Sequence, residues 1–296
     1  MVTSSDKRFG SQSMVAPLRR VLVRRPDTAF QVEDPLQWNY TSRPDLDSAI
    51  REHDGLAAVL EEAGVEVVYH AEPLPGKADA IFVFDPVLMT GEGAVLLRMG
   101  KPLRQGEERS LEGRLGELGI PTIGALNGEA TAEGGDMFWL DPQTLAVGRG
   151  FRTNGEGIRQ LREILGPRGV TVEAFDLPYF EGPKACLHLL SLLSLVDEKA
   201  AVVYPRLLPV RLWEMFRSRG FELIEVPDEE FLTMGPNVLA VAPRHCIALR
   251  NNEVTIKRLE QAGCRVETYR GDELSLKAEG GATCLTLPLE REFRCL

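Results

Sequence analysis

Five times along this chain a helical pattern ends in glycine and runs straight into alternating apolar residues. The five junctions are Glu62-Ala63-Gly64-Val65, Glu117-Leu118-Gly119-Ile120, Pro167-Arg168-Gly169-Val170, Ser218-Arg219-Gly220-Phe221 and Gln261-Ala262-Gly263-Cys264. Glycine is favoured just past a last helical turn because the backbone there takes positive φ. The change from a 3.6-residue to a 2-residue apolar period marks the strand that follows. Successive glycines are 55, 50, 51 and 43 residues apart. Spacing that regular is what one supersecondary unit produces when it is repeated.

Two copies can be read in full. Residues 136–140 read as a strand, Asp141-Pro142-Gln143-Thr144 as a turn, 145–148 as a second strand, 154–165 as an amphipathic helix and 169–175 as a third strand. Residues 238–242, 243–245, 246–249, 252–260 and 264–267 repeat that order. Each unit is therefore expected to be β-β-α-β. One such unit cannot bury its own apolar face, so the copies must stack in a line or close around an axis. The last strand, 284–289, has no helix after it, which suits closure onto the first strand at Val21-Leu22-Val23-Arg24. The expected fold is α/β, a closed ring of five units in which residues far apart in sequence meet over a central pocket. Residues 1–17 are expected to be an N-terminal tail and 18–296 a single domain. The segment 26–45, with Pro26, Pro35 and Pro44 around Trp38 and Tyr40, reads as a long ordered loop and a lid candidate.

The charge balance narrows the ligand class. Across 296 residues the formal net charge is -10 and the pI about 5.1. That is opposite to what phosphate-backbone binding needs and agrees better with a cationic small molecule. No apolar run approaches a membrane span, and the first residues lack an apolar leader pattern. Five cysteines, at 186, 246, 264, 284 and 295, include no Cys-x-x-Cys pair, so reduced thiols in a cytoplasmic protein are expected.

Cys284 follows Gly280-Gly281-Ala282-Thr283 at the entry to the last strand, a position suited to a nucleophile at a pocket mouth. Of four histidines, His53 and His70 read as surface or edge residues and His245 as a turn residue. His188 interrupts the apolar run Cys186-Leu187-His188-Leu189-Leu190, where a buried imidazole needs a partner. Glu133-Gly134-Gly135-Asp136 offers that partner, its glycines allowing a tight turn that presents both carboxylates to one region. An acid orienting an imidazole that serves a thiol is the Cys form of the nucleophilic triad, here Glu133, His188 and Cys284. There is no zinc or calcium motif, so a metal site would need scattered ligands. Gly91-Glu92-Gly93 reads as a hairpin turn and not a phosphate loop.

The five units, Glu133-Gly-Gly-Asp136, Leu187-His188-Leu189 and Gly280-Gly-Ala-Thr-Cys284 together resemble the guanidine-modifying (pentein) superfamily, whose fold is a five-bladed α/β propeller. The similarity runs from about Leu18 to Arg291 and is strongest toward the dimethylarginine dimethylaminohydrolases. It implies that Asp79 and Asp85 receive a guanidinium and that Arg104 and Arg152 receive the substrate's α-carboxylate, with Asp136 and Phe84 completing the substrate contacts. Carboxylates and guanidinium forks match one another in pairs, which suits those roles. Two residues depart from the family pattern. Phe84 stands where a second acid is usual, and Leu190 stands where deiminases and amidinotransferases carry an aspartate, which favours a substituted guanidine.

The resemblance further implies attack of the Cys284 thiolate on the guanidinium carbon, with His188 protonating the leaving amine and then activating water. Neither cofactor nor metal is expected. The expected partner is a small guanidine, with no nucleic acid and no membrane, and a homodimer is left open. Arginine deiminase or amidinotransferase activity is the alternative on the same scaffold, and a non-catalytic binding protein is the alternative of a different class.

Overall fold

In the computed structural model, which describes residues 8–292, Gly64, Gly119, Gly169, Gly220 and Gly263 all have φ between 72° and 83°. Each of them closes a helix, and the strand that follows begins within three residues. The chain opens with β1 (Leu18–Val23), α1 (Leu46–Glu62) and β2 (Glu66–Tyr69). Next come β3 (Val87–Met89), β4 (Ala94–Leu96), α2 (Glu107–Glu117) and β5 (Thr122–Ala125). The third group is β6 (Met137–Asp141), β7 (Thr144–Arg149), α3 (Gly155–Leu165) and β8 (Thr171–Asp176). The fourth is β9 (Leu193–Asp197), β10 (Ala200–Val203), α4 (Val210–Ser218) and β11 (Glu222–Glu225), followed by the single turn α5 (Asp228–Phe231). The fifth is β12 (Leu239–Ala242), β13 (His245–Leu249), α6 (Glu253–Gln261) and β14 (Arg265–Tyr269), after which β15 (Thr286–Arg291) ends the described chain.

These strands form five three-stranded sheets of one design. In each, the middle strand pairs antiparallel with one neighbour and parallel with the strand reached through a helix. The first sheet obtains its antiparallel strand from the other end of the chain, with β1 and β15 paired from Leu18↔Arg291 to Val23↔Thr286. Closure of the last strand onto the first, expected from the missing final helix, is thus observed. Contacts run β15 to β3 and β1 to β12, and β12 to β9. Trp139 Nε1 donates to the Met89 carbonyl at 3.3 Å between the third and second sheets. The turns at Gly134–Asp136 and Leu189–Ser191 join the third and fourth.

The helices lay apolar stripes on the sheets, α3 on its own sheet and α1 and α6 also against a strand of the neighbouring one. In α3, Ile158, Leu161 and Leu165 are buried on Leu145, Val147 and Val172, with burial worth roughly 1.5–3 kcal/mol per large aliphatic side chain. The hairpin expected around Gly91–Gly93 joins β3 to β4, with Gly93 at φ 152°. Among the described residues no helix is long and apolar enough to cross a membrane.

Several expectations need correction. His53 and His70 are not surface residues: both are buried, at 1% and 2% exposure, because α1 turns His53 inward and His70 lies beside Ser110 of α2. Burial pushes both imidazoles down to about 4. His245 begins β13 rather than occupying a turn. The expected N-terminal tail is docked from Gly10 onward, whose amide donates to the Leu289 carbonyl at 2.8 Å and whose carbonyl accepts from Arg291 at 2.9 Å. Residues 1–7 and Cys295 lie outside the described residues. Cys186, Cys246, Cys264 and Cys284 are free thiols.

Candidate active site

Every unit contributes to one site from the same place, the short segment two to five residues ahead of its first strand. Asp85 precedes β3, Glu133 precedes β6, His188 precedes β9, Asn237 precedes β12 and Cys284 precedes β15. The repeat therefore explains how residues separated by some 200 positions meet. Two glycines make the approach close enough. A Cβ on Gly135 would fall 2.2 Å from His188 Nδ1, and one on Gly280 would fall 2.2 Å from the Phe82 ring.

Glu133 is fully buried, and its Oε2 lies 2.7 Å from His188 Nε2. The same carboxylate accepts from Arg152 at 3.1 Å and from the Lys101 amide at 3.0 Å. Burial opposes its ionisation, but the hydrogen bond to His188 and the charge of Arg152 win and hold it well below the usual carboxylate range. Burial alone would push His188 down. The Cys186 thiol, with its sulfur 3.6 Å from Nδ1, and the carboxylates of Glu133 and Asp136 outweigh that effect and hold the imidazole well above its usual range. That direction favours the imidazolium form of His188.

Cys284 Sγ accepts a hydrogen bond from Asn237 Nδ2 at 3.3 Å, while Asn237 Oδ1 accepts from the Thr283 amide at 3.0 Å. Burial and the charge of Asp85 push the thiol up to about 11, against the pull of His188, the Gly281 backbone and Asn237. The two directions together favour a neutral thiol beside an imidazolium. Thiolate formation therefore needs a further positive charge in the cavity.

The remaining expected residues line the same region. Asp85 accepts from the Gly135 amide at 2.9 Å and from Arg104 at 2.5 Å. Arg104 is 3% exposed and also grips Glu107 at 2.9 Å and the Phe82 carbonyl at 3.0 Å. Asp79 accepts from Tyr40 Oη at 2.8 Å and from Lys101 Nζ at 2.5 Å. Asp136 directs Oδ1 to the Leu189 amide at 3.0 Å, leaves Oδ2 without a partner, and is pushed up to about 6 by burial. Trp38 and Asn39 of the 26–45 segment form one wall, fixed there because Lys101 Nζ also donates to the Trp38 carbonyl at 2.7 Å.

Two cavities meet at Cys284 and His188. One, of about 40 Å³, is polar and bounded by Asp79, Asp85, Lys101, Arg104 and Arg152. The other, of about 100 Å³, is walled mainly by apolar side chains, Phe84 and Leu190 among them. Donor atoms of Asp85, Glu133 and His188 lie within 4.8 Å of one another, a spacing a cation could bridge. Both carboxylates already carry an arginine. Sequence reasoning missed Asn237, Cys186, Lys101 and Glu107. Only Asn237 had a usable signal, its place in the fifth unit matching that of Cys284 in the first.

The sequence profile of the family described as "N,N dimethylarginine dimethylhydrolase, eukaryotic" matches residues 26–291. An uncharacterized protein, YkgA of Bacillus subtilis, is 30% identical over 81% of this chain and 79% of its own length. The N(G),N(G)-dimethylarginine dimethylaminohydrolase of Pseudomonas aeruginosa is 25% identical over 91% of this chain and 98% of its own. The arginine deiminase of Listeria welshimeri is 26% identical over 76% of this chain, which spans 64% of the deiminase. Among solved structures, the Pseudomonas aeruginosa dimethylarginine dimethylaminohydrolase complexed with citrulline superimposes with a TM-score of 0.77 at 23% identity, covering 92% of this chain and 99% of that one. SxtG, an amidinotransferase from Microseira wollei, gives 0.79 at 18% identity over 97% and 98%.

Proposed function

The chain belongs to the N,N dimethylarginine dimethylhydrolase family, and on that premise we propose that it hydrolyses a guanidino C–N bond of an arginine-like substrate, with Nω-methylated arginine the first candidate and citrulline plus an alkylamine the products. The observation that carries this reading is the 2.7 Å contact of buried Glu133 with His188, which lines one cavity together with Cys284 and Asp85. We read the five units as blades of a closed propeller with this site on its axis.

Substrate binding is the step that readies the thiol. A guanidinium entering between Asp79 and Asp85 brings a positive charge beside Cys284, so that the thiol gives up its proton to water and meets the substrate as thiolate. By taking Asp85 it also frees Nη1 of Arg104, which, with Arg152, becomes available to the α-carboxylate. Cys284 then attacks the guanidinium carbon, the C–N bond breaks, and the leaving nitrogen takes a proton from the His188 imidazolium. Neutral His188 next removes a proton from water, which adds to the thiouronium carbon and releases the ureido product and the thiolate. Glu133 keeps the imidazole oriented and charged until the first transfer.

A deiminase, acting on unsubstituted arginine, is the second reading. It draws on the match to the Listeria enzyme and on Phe82-Val83-Phe84-Asp85-Pro86, similar to the Asp-Pro segment of deiminases. The test is a panel of arginine, mono- and dimethylarginine, agmatine and guanidino acids, scored for ureido product with Cys284→Ser beside the wild type. We expect methylarginines to be turned over fastest and the variant to be inactive. Equal turnover by Cys284→Ser would exclude the covalent route, and a preference for arginine would move the assignment to a deiminase.

A further inference from the structure

The larger cavity contains none of the charged residues assigned above to the guanidinium and the α-carboxylate. The polar cavity holds every charged residue assigned to guanidinium and carboxylate. The apolar one opens from the same two groups, Cys284 and His188, and is walled by Phe84, Leu187, Leu190, Phe231 and Met234. Its aromatic side is stiff. Phe231 stacks on Tyr204 with ring centres 4.1 Å apart and meets Phe180 edge-on at 5.9 Å. The polar side chains along it are engaged: Ser191 Oγ accepts from the His188 amide at 3.1 Å, and Asn237 holds Cys284 and Thr283. Glu181 and Glu279 are exposed to solvent.

We propose that this cavity is a subsite for an apolar substituent on the leaving nitrogen, so that the preferred substrates are guanidines carrying an alkyl group of propyl to butyl size instead of methyl. This inference rests on the hydrolytic reading above. His188 supplies the proton to the departing nitrogen, so what that nitrogen carries lies close to His188, and the apolar cavity is lined by His188 and Cys284 but not by Asp85. A charged amino-acid tail would lose hydration on those walls with nothing to replace it. A volume of about 100 Å³ is room for about three or four carbon-sized atoms at the roughly 30 Å³ that a water takes in the liquid. Phe84 and Leu190 supply apolar walls next to the reacting groups. The bond changes are those already given, with the alkylamine as leaving group.

The test keeps the product constant. Nω-methyl-, ethyl-, propyl-, butyl- and hexylarginine all yield citrulline, so kcat/KM reads the substituent alone. Burial of each added methylene predicts a rise of about fourfold per carbon up to propyl or butyl, then a fall at hexyl. Ala185→Leu, which places three more carbons in the cavity, should bring the butyl-to-methyl ratio down to about one. Phe231→Ala should move the optimum to a longer chain. A flat or falling series in the wild type, with methylarginine still hydrolysed, overturns the subsite and leaves the hydrolytic reading intact. Failure of the wild type to exceed Cys284→Ser on any member overturns both. If Ala185→Leu does not fold, as judged by its thermal unfolding, the Phe231→Ala shift decides, and an unchanged optimum there counts against the subsite.

Discussion

At the scale of single residues the site is a balance of charges held out of water. Cys284 is kept as a thiol by burial, and Asn237 is one of three groups pulling the other way. In the folded protein the thiol is pushed up to about 11, against about 8.5 for an exposed cysteine. The sign follows: the protonated form is favoured in the fold, so the stabilisation is complete below about 8.5 and is lost as pH rises toward 11. Alkylation of Cys284 by neutral iodoacetamide, mapped by peptide mass, should therefore rise about tenfold per pH unit from 7 to 10. In Asn237→Leu the whole profile should move to higher pH. A rate already at its plateau by pH 8 would contradict this electrostatic account. Cys284, His188 and Glu133 were legible as candidates because each has a local signal, a thiol behind Gly280-Gly281, an imidazole inside an apolar run and an acid ahead of Gly134-Gly135. Cys186, Lys101 and Glu107 could not, since they act on those residues through space and belong to no motif of their own.

At the scale of elements, the segment that carries Cys284 is anchored from across the first sheet. Residues Asp272–Leu276 form a single π-helical turn. Its first amides, of Asp272, Glu273 and Leu274, donate to the buried carboxylate of Glu52 on α1 at 3.1, 2.8 and 2.9 Å. One carboxylate thus satisfies three donors at a helix start, where charge and dipole agree. Glu52→Ala strands those donors. At about 1–3 kcal/mol for a buried unsatisfied group, and with water able to reach the outer two, a loss on the order of 3 kcal/mol is expected in urea unfolding, together with a lower kcat. A change under about 0.5 kcal/mol would show that the anchor is not structural. The helix-to-strand junctions were legible because Gly64 and its four counterparts need a backbone conformation that few other residues accept. The π-turn was not, because Asp272-Glu273-Leu274-Ser275-Leu276 has the composition of an ordinary helix start. His53 was misread for a related reason. Charged neighbours such as Glu52 and Asp54 suggest an exposed face, yet that face of α1 is the one packed inward.

At the scale of the whole molecule, the first sheet is shared between the two ends of the described chain. β15 is antiparallel partner to β1, and Gly10 in turn pairs with β15. Sheet one is therefore incomplete until the last strand is made. Cys284 enters its position at the same moment, two residues ahead of β15. Ending the chain at residue 284 should abolish cooperative unfolding altogether, as seen by calorimetry, instead of trimming one edge. A truncated protein with a sharp transition would mean that the remaining sheets are independent. The count of five and the closing strand were readable from glycine spacing and the missing final helix. The two-cavity shape was not, because it depends on how far Phe84, Leu190 and Phe231 stand from one another after closure, a distance no single unit encodes.

The central claim is that Cys284, and no other group, bonds to the guanidino carbon. Acid quenching of the enzyme during turnover of a methylarginine, followed by intact-mass measurement and peptide mapping, tests it directly. The account predicts a thiouronium adduct, the substrate less its alkylamine, on the peptide containing Cys284 that is absent from Cys284→Ser, whereas an adduct on Cys186, or turnover with no adduct on any cysteine under single-turnover conditions, would contradict it.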